Sequence, residues 1–319
     1  MACMSPKLSP EQEAAESGAA EPKVTELDVW ALVVRAGIKN TPDDYTGHLK
    51  LAAYAKNHCG PAMVSYLFKN RAKLPGLIDD IWSWEEVDSI VGIACQSRMQ
   101  LLTAALRSAC TCGGAWTSLV EASLQANGID VGGLCTDILN AMDVGRGELT
   151  PVVVLAGRQG GEGKSLLLKP LFSVFPLPGQ VFPSPRHDKF PLQGIESSKV
   201  VFLDEFRFDG VLPYMLQCLL FDGSAVPVAR PQNVPGAAGH FLYKGTSPVF
   251  ITTKLDSLEA LEAAARPNPE TGLPFSVDAS MIWGRLKIYR FEHRVPRPDK
   301  KFNFCAHCFA SFLRKHYTS

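Results

Sequence analysis

Apolar residues follow two textures along the chain, and the change between them comes at Thr150. Before it the spacing is helical. Leu27, Trp30, Leu32, Val33 and Val34 form one apolar stretch, and Leu49 to Ala55 and Ala62 to Phe68 form others. Gln100 to Leu106 and Trp116 to Leu124 recur at three- and four-residue intervals, the mark of helices with one buried face. Gly37, Gly60, Gly76 and Asn127-Gly128 punctuate these stretches. Trp82 and Trp84 read as packing residues rather than as a base-stacking platform.

After Thr150 the apolar residues come in short unbroken runs: Pro151 to Leu155, Lys199 to Leu203, Pro248 to Thr252 and Leu286 to Phe291. Such runs suit a parallel sheet buried on both faces, and a proline is tolerated at the entry of the first. Helical stretches follow the first two runs, at Ser165 to Phe175 and Val211 to Phe221. This alternation predicts an α/β fold, a parallel-sheet core preceded by a small all-helical domain. The expected division is a disordered tail over 1–24, a helical domain over 25–147 that is a candidate for oligomerisation, and the α/β domain over 148–319. The tail is rich in Ala, Glu, Pro and Ser, and such a segment cannot offset its ordering entropy.

Composition narrows the function classes. Lys plus Arg and Asp plus Glu both total 32, so no global field draws the chain to nucleic acid or membrane, and polyanion contact must come from a local patch. One lies between Arg285 and Lys315, where nine basic residues face Glu292 and Asp299. No apolar run approaches the roughly 20 residues of a spanning helix. Nine cysteines are an odd number, and no signal peptide opens the chain, so a reducing compartment, nucleus or cytoplasm, is the expected location.

Candidate chemistry sits in the second half. Gly157-Arg158-Gln159-Gly160-Gly161-Glu162-Gly163-Lys164-Ser165 follows the first predicted strand and opens a helix, the context that separates a phosphate loop from a chance glycine cluster. Glycines let backbone N–H groups turn toward phosphate oxygens, and the helix start adds free donors. Gly160, Gly161, Glu162, Gly163, Lys164 and Ser165 are the expected ATP contacts, with Lys164 at the β- and γ-phosphates and the Ser165 hydroxyl on Mg²⁺. The usual pattern has four residues between its outer glycines; here Gly157 and Gly163 enclose five, with Arg158 in place of the first glycine. Val200 to Leu203 end in Asp204-Glu205, where Asp204 suits the metal shell and Glu205 the attacking water. The run from Ser247 ends in Thr253-Lys254, either a γ-phosphate sensor or an ordinary capped strand end.

Taken in order, the glycine loop, the strand with Asp-Glu and Pro248-Val249-x-Ile251-Thr252-Thr253 resemble the superfamily 3 helicases, the replication helicases of parvoviruses and related small DNA viruses. Trp283-Gly284-Arg285-Leu286-x-x-Tyr289-x-Phe291 adds to the likeness, which runs from about Cys135 to the C-terminus. The resemblance implies an AAA+ ATPase that assembles as a homo-oligomeric ring and translocates on single-stranded DNA. It assigns Lys164 and Ser165 to nucleotide, Asp204 and Glu205 to metal and catalysis, and Arg285 to a finger completing a neighbour's site. It also places a DNA-contacting hairpin at Asp222 to Arg230, Gln232 and Asn233, returning through Phe241 to Gly245, with Arg230 and Lys244 on phosphates. Lys254 stands where the family usually has an asparagine, and an ammonium cannot orient a water as an amide does. Paired histidines of a nicking domain are absent, His48 and His58 standing alone, so any nicking falls to a separate protein. A competing reading keeps the NTPase but makes it an oligomeric switch or scaffold that moves no nucleic acid.

Cys305-Ala306-His307-Cys308 invites a zinc reading, yet a structural site wants four ligands. Cys110-x-Cys112 is distant in sequence and differently spaced. Phe302, Phe304, Phe309, Phe312 and Leu313 instead suggest a terminal helix docked by an aromatic face, with the thiols buried beside it.

Overall fold

The computed structural model describes residues 24–41, 43–185, 189–231, 239–295 and 304–318. The expected tail therefore lies outside the described residues except for Val24. By internal contacts the chain divides into two units, Met1–Gly92 and Ile93–Ser319.

The first unit is helical: α1 (Glu26–Ala36), α2 (Gly47–His58), α3 (Pro61–Lys69) and α4 (Leu74–Glu85). The start of α1 is set by a capping box in which the Thr25 hydroxyl accepts from the Asp28 N–H and the Asp28 carboxylate accepts from the Thr25 N–H, a pairing that satisfies two otherwise orphaned donors. Gly37 ends α1 at φ 63. The unit's core is Val29, Leu32 and Val33 of α1 packed with Leu51, Leu67 and Ile78. Of the two tryptophans only Trp82 packs, donating to the Ile38 carbonyl at 2.7 Å with Lys39 over its ring. Trp84 is 65% exposed: two residues apart on a helix place side chains on different faces. Helix α5 (Val87–Cys95) runs across the division and buries none of its residues.

The second unit opens with α6 (Arg98–Arg107), α7 (Ala115–Ala126) and α8 (Val131–Val144). The α/β part follows: β1 (Val152–Gly157), α9 (Lys164–Leu168), α10 (Leu171–Val174), β2 (Val181–Phe182), β3 (Val200–Phe206) and α11 (Tyr214–Phe221). A two-stranded hairpin, β4 (Val226–Ala229) with β5 (His240–Tyr243), precedes β6 (Val249–Lys254), α12 (Leu255–Ala265), α13 (Val277–Trp283), β7 (Leu286–Phe291) and α14 (Ala306–His316). The main sheet runs β2-β3-β6-β1-β7, every pairing parallel.

Alternate strand residues feed two cores. Val153, Leu155, Phe202 and Phe250 face α6 to α8 and α14, while Val154, Ala156, Leu203 and Ile251 face α11 to α13. This three-layer arrangement explains why the strands read as unbroken apolar runs. Each fully buried aliphatic side chain contributes about 1.5–3 kcal/mol. Helical spacing alone groups α6 to α8 with the preceding helices; in the structure they share the core of the sheet. Periodicity reports that a helix has a buried face, not what covers it. The single helix expected over Ser165 to Phe175 is two short ones, because Pro170 stands at the N-cap of the second and cannot donate into a continuous helix. Helix α14 docks by Phe309, Phe312 and Leu313, all buried, whereas Phe302 lies outside the described residues.

Across the face of the sheet, the Tyr289 hydroxyl donates to Asp137 of α8 at 2.6 Å. Asn127, just past α7, accepts from the N–H groups of Glu292 and His293 at 2.7 Å each. The chain leaving β7 is thereby held against α7. Among the described residues no helix is long and apolar enough to cross a membrane.

Candidate functional site

At the carboxy-terminal ends of the strands a cleft of about 420 Å³ opens between the loop after β1 and the ends of β3 and β6. Gly160, Gly161 and Gly163 take φ of 91, 83 and 95, conformations that only glycine adopts without strain. A side chain at Gly163 would also collide with Ser123 of α7, and one at Gly157 would meet Glu162 and Lys164. The loop is braced from both sides. The Ser123 hydroxyl donates to the Glu162 carbonyl at 2.7 Å, and the Val295 N–H donates to the Gly161 carbonyl at 3.0 Å. Trp116 Nε1 of α7 donates to the Leu166 carbonyl at 2.9 Å, holding the helix that begins at Lys164.

Inside the loop an anion is already in place, and it belongs to the chain. The Glu162 side chain, 1% exposed, turns inward; its carboxylate accepts from the N–H of Gln159 at 2.6 Å and of Gly160 at 2.9 Å, and from Lys164 Nζ at 2.6 Å. Burial pushes this carboxyl up, but those N–H donors and the Lys164 ammonium outweigh it and hold the group below the usual carboxylate range. A backbone cradle and a lysine that converge on one carboxylate are chemically suited to converge on a phosphate. The sequence pointed to Glu162 as a ligand contact; in this geometry its own carboxylate occupies the cradle formed by those donors.

Beneath the loop the acids of β3 are displaced from regular strand geometry. Leu203 pairs with Ile251 but Phe206 with Thr253, so β3 carries one more residue than β6 over this stretch. Glu205 has φ 54, the one positive value among non-glycine described residues. A bulge of this kind re-aims side chains, and left-handed backbone at a non-glycine residue costs on the order of 1–3 kcal/mol, held by its surroundings. Thr252 does the holding: its hydroxyl accepts from the Glu205 N–H at 2.9 Å and donates to Asp204 Oδ1 at 2.6 Å. That same oxygen accepts from the Ser165 hydroxyl at 2.5 Å. Ser184 adds a bond to the Asp204 carbonyl.

The structure thus brings together Gly160 to Ser165, Asp204, Glu205 and the end of β6. Thr253 and Lys254 line the cleft, but the Thr253 hydroxyl is spent on the Phe206 carbonyl at 2.7 Å. Thr252, one residue earlier, is the one tied to the acids. Sequence reasoning gave no role at the cleft to Thr252, Ser123, Lys169, Val295 or Phe304. Strand alternation could have found Thr252, because a hydroxyl at a fully buried strand position needs a partner.

Three predicted residues lie elsewhere. Arg285 precedes β7, and its carbonyl accepts from Val152 at the start of β1. It therefore stands at the opposite edge of the sheet from the glycine loop, about 17 Å away along a strand of this length. There it bonds the Met281 carbonyl at 2.5 Å and Asp222 at 3.4 Å. Arg230 and Lys244 flank the β4–β5 hairpin, whose register pairs Val226 with Tyr243 and Ala229 with His240. Arg230 stacks over Phe241 at 4.1 Å and pairs with Glu196 at 2.9 Å, while Lys244 is exposed. Gln232 and Asn233 lie outside the described residues.

A parallel sheet with a glycine loop between its first strand and the following helix is a P-loop type of α/β topology, compatible with an NTPase fold. No protein-family model matches the chain. No curated protein matches it either. Among the solved structures that match is one described as the A form apo structure of the NrS-1 C terminal region, with 14% identity and a TM-score of 0.37, over 61% of this chain and 44% of that one. The likeness is weak and partial, and this chain spans less than half the length of that structure.

Proposed function

We propose that the cleft binds a nucleoside triphosphate with Mg²⁺ and hydrolyses it, and that this ATPase drives movement along single-stranded DNA in a ring of identical subunits. The observation that carries the nucleotide reading is the convergence of Ser165 and Thr252 on one oxygen of Asp204, directly beneath a glycine loop whose donors and lysine already hold an anion. Triphosphate entering the loop takes over the contacts of the Glu162 carboxylate. Asp204 and Ser165 would hold Mg²⁺, which would supply positive charge beside the phosphates, and Lys164 offsets charge on the transferring phosphoryl group. Glu205, exposed at the mouth of the cleft, accepts the proton of the attacking water, whose oxygen displaces the β-phosphate oxygen as leaving group.

The DNA part rests on the hairpin and on the resemblance of the motif order to superfamily 3 helicases. Arg230 and Lys244 beside a two-stranded arm suit sequence-independent contact with backbone phosphates. Arg285, out of reach of its own cleft, would serve a second copy's, as a finger delivered when subunits close. An ATPase assay with and without single-stranded DNA tests the whole reading. Turnover stimulated by DNA is expected. Turnover indifferent to DNA, with no binding at low salt, would leave an oligomeric NTPase switch, and no turnover at all would remove the enzyme.

A further inference from the structure

The two cysteine pairs that look unrelated in sequence meet in space. Cys110 and Cys112 lie in the turn between α6 and α7, and Cys305 and Cys308 begin α14, Cys305 standing 195 positions after Cys110. All four Sγ atoms lie within 4.8 Å of one another. The Cys110–Cys112 separation is 3.9 Å, Cys110–Cys308 3.4 Å, Cys112–Cys308 3.5 Å and Cys110–Cys305 4.0 Å. The expectation that the distant pair could not contribute is overturned: spacing limits only which ligands are local, and the docking of α14 supplies the rest.

We propose that Cys110, Cys112, Cys305 and Cys308 form a structural Zn²⁺ site that clamps α14 to the turn between α6 and α7. A tetrahedron with Zn–S bonds of about 2.3 Å has sulfur–sulfur edges of about 3.8 Å, and the observed separations straddle that value. A disulfide needs about 2.05 Å, so none of these pairs is bonded, and all four are free thiols. Four thiols have little to offer one another, since S–H is a weak donor and sulfur a weak acceptor. As thiolates around one soft-accepting cation, each has a strong partner. Binding releases the thiol protons to solvent, and no electron changes hands.

The surroundings are those of a metal knuckle. The Cys305 sulfur is the N-cap of α14 and accepts from the Cys308 N–H at 3.4 Å. Backbone groups of Cys112 and Gly114 hydrogen-bond the Cys110 sulfur, and Thr111 does the same for Cys305. Such N–H contacts orient ligand sulfurs and spread their negative charge. Cys305 and Cys308 are buried and Cys110 is exposed, which leaves an entry path. His307, between the second pair, is not a ligand: its Nδ1 lies 3.1 Å from the Leu106 carbonyl and its Nε2 faces Ser311. Four sulfurs close the coordination sphere, so the site is structural rather than catalytic.

Its position connects the clamp to the cleft. Phe304, next to Cys305, lines the cleft, and its carbonyl accepts from Ser173. Phe309 and Phe312 of α14 pack edge-on against Trp116 at 5.8 Å each, and Trp116 holds the Leu166 carbonyl. Elemental analysis of the purified full chain, without added metal in the final steps, tests the assignment. One zinc per chain is expected, and Co²⁺ exchanged into the site should show the intense visible bands of a tetrathiolate. Cys110→Ser and Cys308→Ser should each bind less than half the zinc, while Cys95→Ser, outside the cluster, keeps it. Chelation of the wild-type chain should lower its thermal midpoint by several degrees, a reading that needs no variant. Metal-free protein whose four thiols react freely without chelator would overturn the proposal. So would stoichiometric iron in place of zinc, or zinc retained in both cluster variants.

Discussion

The two edges of the main sheet treat their charged residues in opposite ways. At the carboxy-terminal edge, Lys164, Glu162 and Glu205 line an open cleft with Asp204 beside it, and the charged groups of Lys164, Glu162 and Asp204 are held by side chains and loop N–H groups. At the amino-terminal edge, Arg146 is 6% exposed and its guanidinium is consumed by the carbonyls of Gly245, Leu219, Leu220, Ser224 and Tyr243. Arg285 nearby is tied to Asp222. The first edge keeps charge available, and the second uses charge as mortar. Arg146 thereby joins the entry of β1 to both feet of the β4–β5 hairpin, so the hairpin is anchored to the sheet by a residue that no catalytic motif contains.

The sharpest way to break this contrast is Lys164→Ala. If the carboxy-terminal edge is a ligand site, turnover falls by about 10²–10³-fold, and because loss of the ammonium strands the buried Glu162 carboxylate, urea unfolding should also lose about 1–3 kcal/mol; turnover retained despite that loss would make Lys164 structural instead. Glu205→Gln should slow hydrolysis by about 100-fold and leave nucleotide binding in place, because an amide cannot take the water's proton. Normal single-turnover rates in that variant would move the water to another residue.

At the other edge, Arg146→Met should cost about 3 kcal/mol in urea unfolding, since it strands buried carbonyls that a charged donor had satisfied. Arg285→Ala, whose ion pair is partly exposed, should cost under about 1 kcal/mol. Its expected effect appears in mixing: Arg285→Ala and Lys164→Ala, each inactive, should recover part of the ATPase activity when co-assembled. No recovery despite proven co-assembly would leave Arg285 as mortar like its neighbour.

The smallest effect sharpens the role of the internal anion. Glu162→Gln should tighten triphosphate binding about fivefold, roughly 1 kcal/mol, because phosphate no longer displaces a carboxylate from Lys164. The same ion pair has a pH signature of known sign. With its folded value depressed, Glu162 stabilises the loop above the ordinary carboxylate range, and that contribution is lost as pH falls through the lower folded value. A difference between wild type and Glu162→Gln that is constant into mildly acid solution and vanishes only in strong acid is expected in pH-dependent unfolding.

The order of the candidate site's segments was legible along the chain because glycine loops and buried parallel strands are local: a run of glycines, four apolar residues, an acid at the strand end. Val152 to Gly157, Val200 to Phe206, Val249 to Lys254 and Leu286 to Phe291 are strands close to where their apolar runs placed them. Backbone preferences act over a few residues, and a strand buried on both faces has no other composition open to it. Partnership was the part that local patterning did not carry. That α6 to α8 cover the sheet, that Thr252 rather than Thr253 braces the acids, that Glu162 fills its own loop, and that Cys110 meets Cys305 are all contacts between segments far apart along the chain. Such contacts are chosen by how whole faces pack against one another, and only the folded chain brings those faces together.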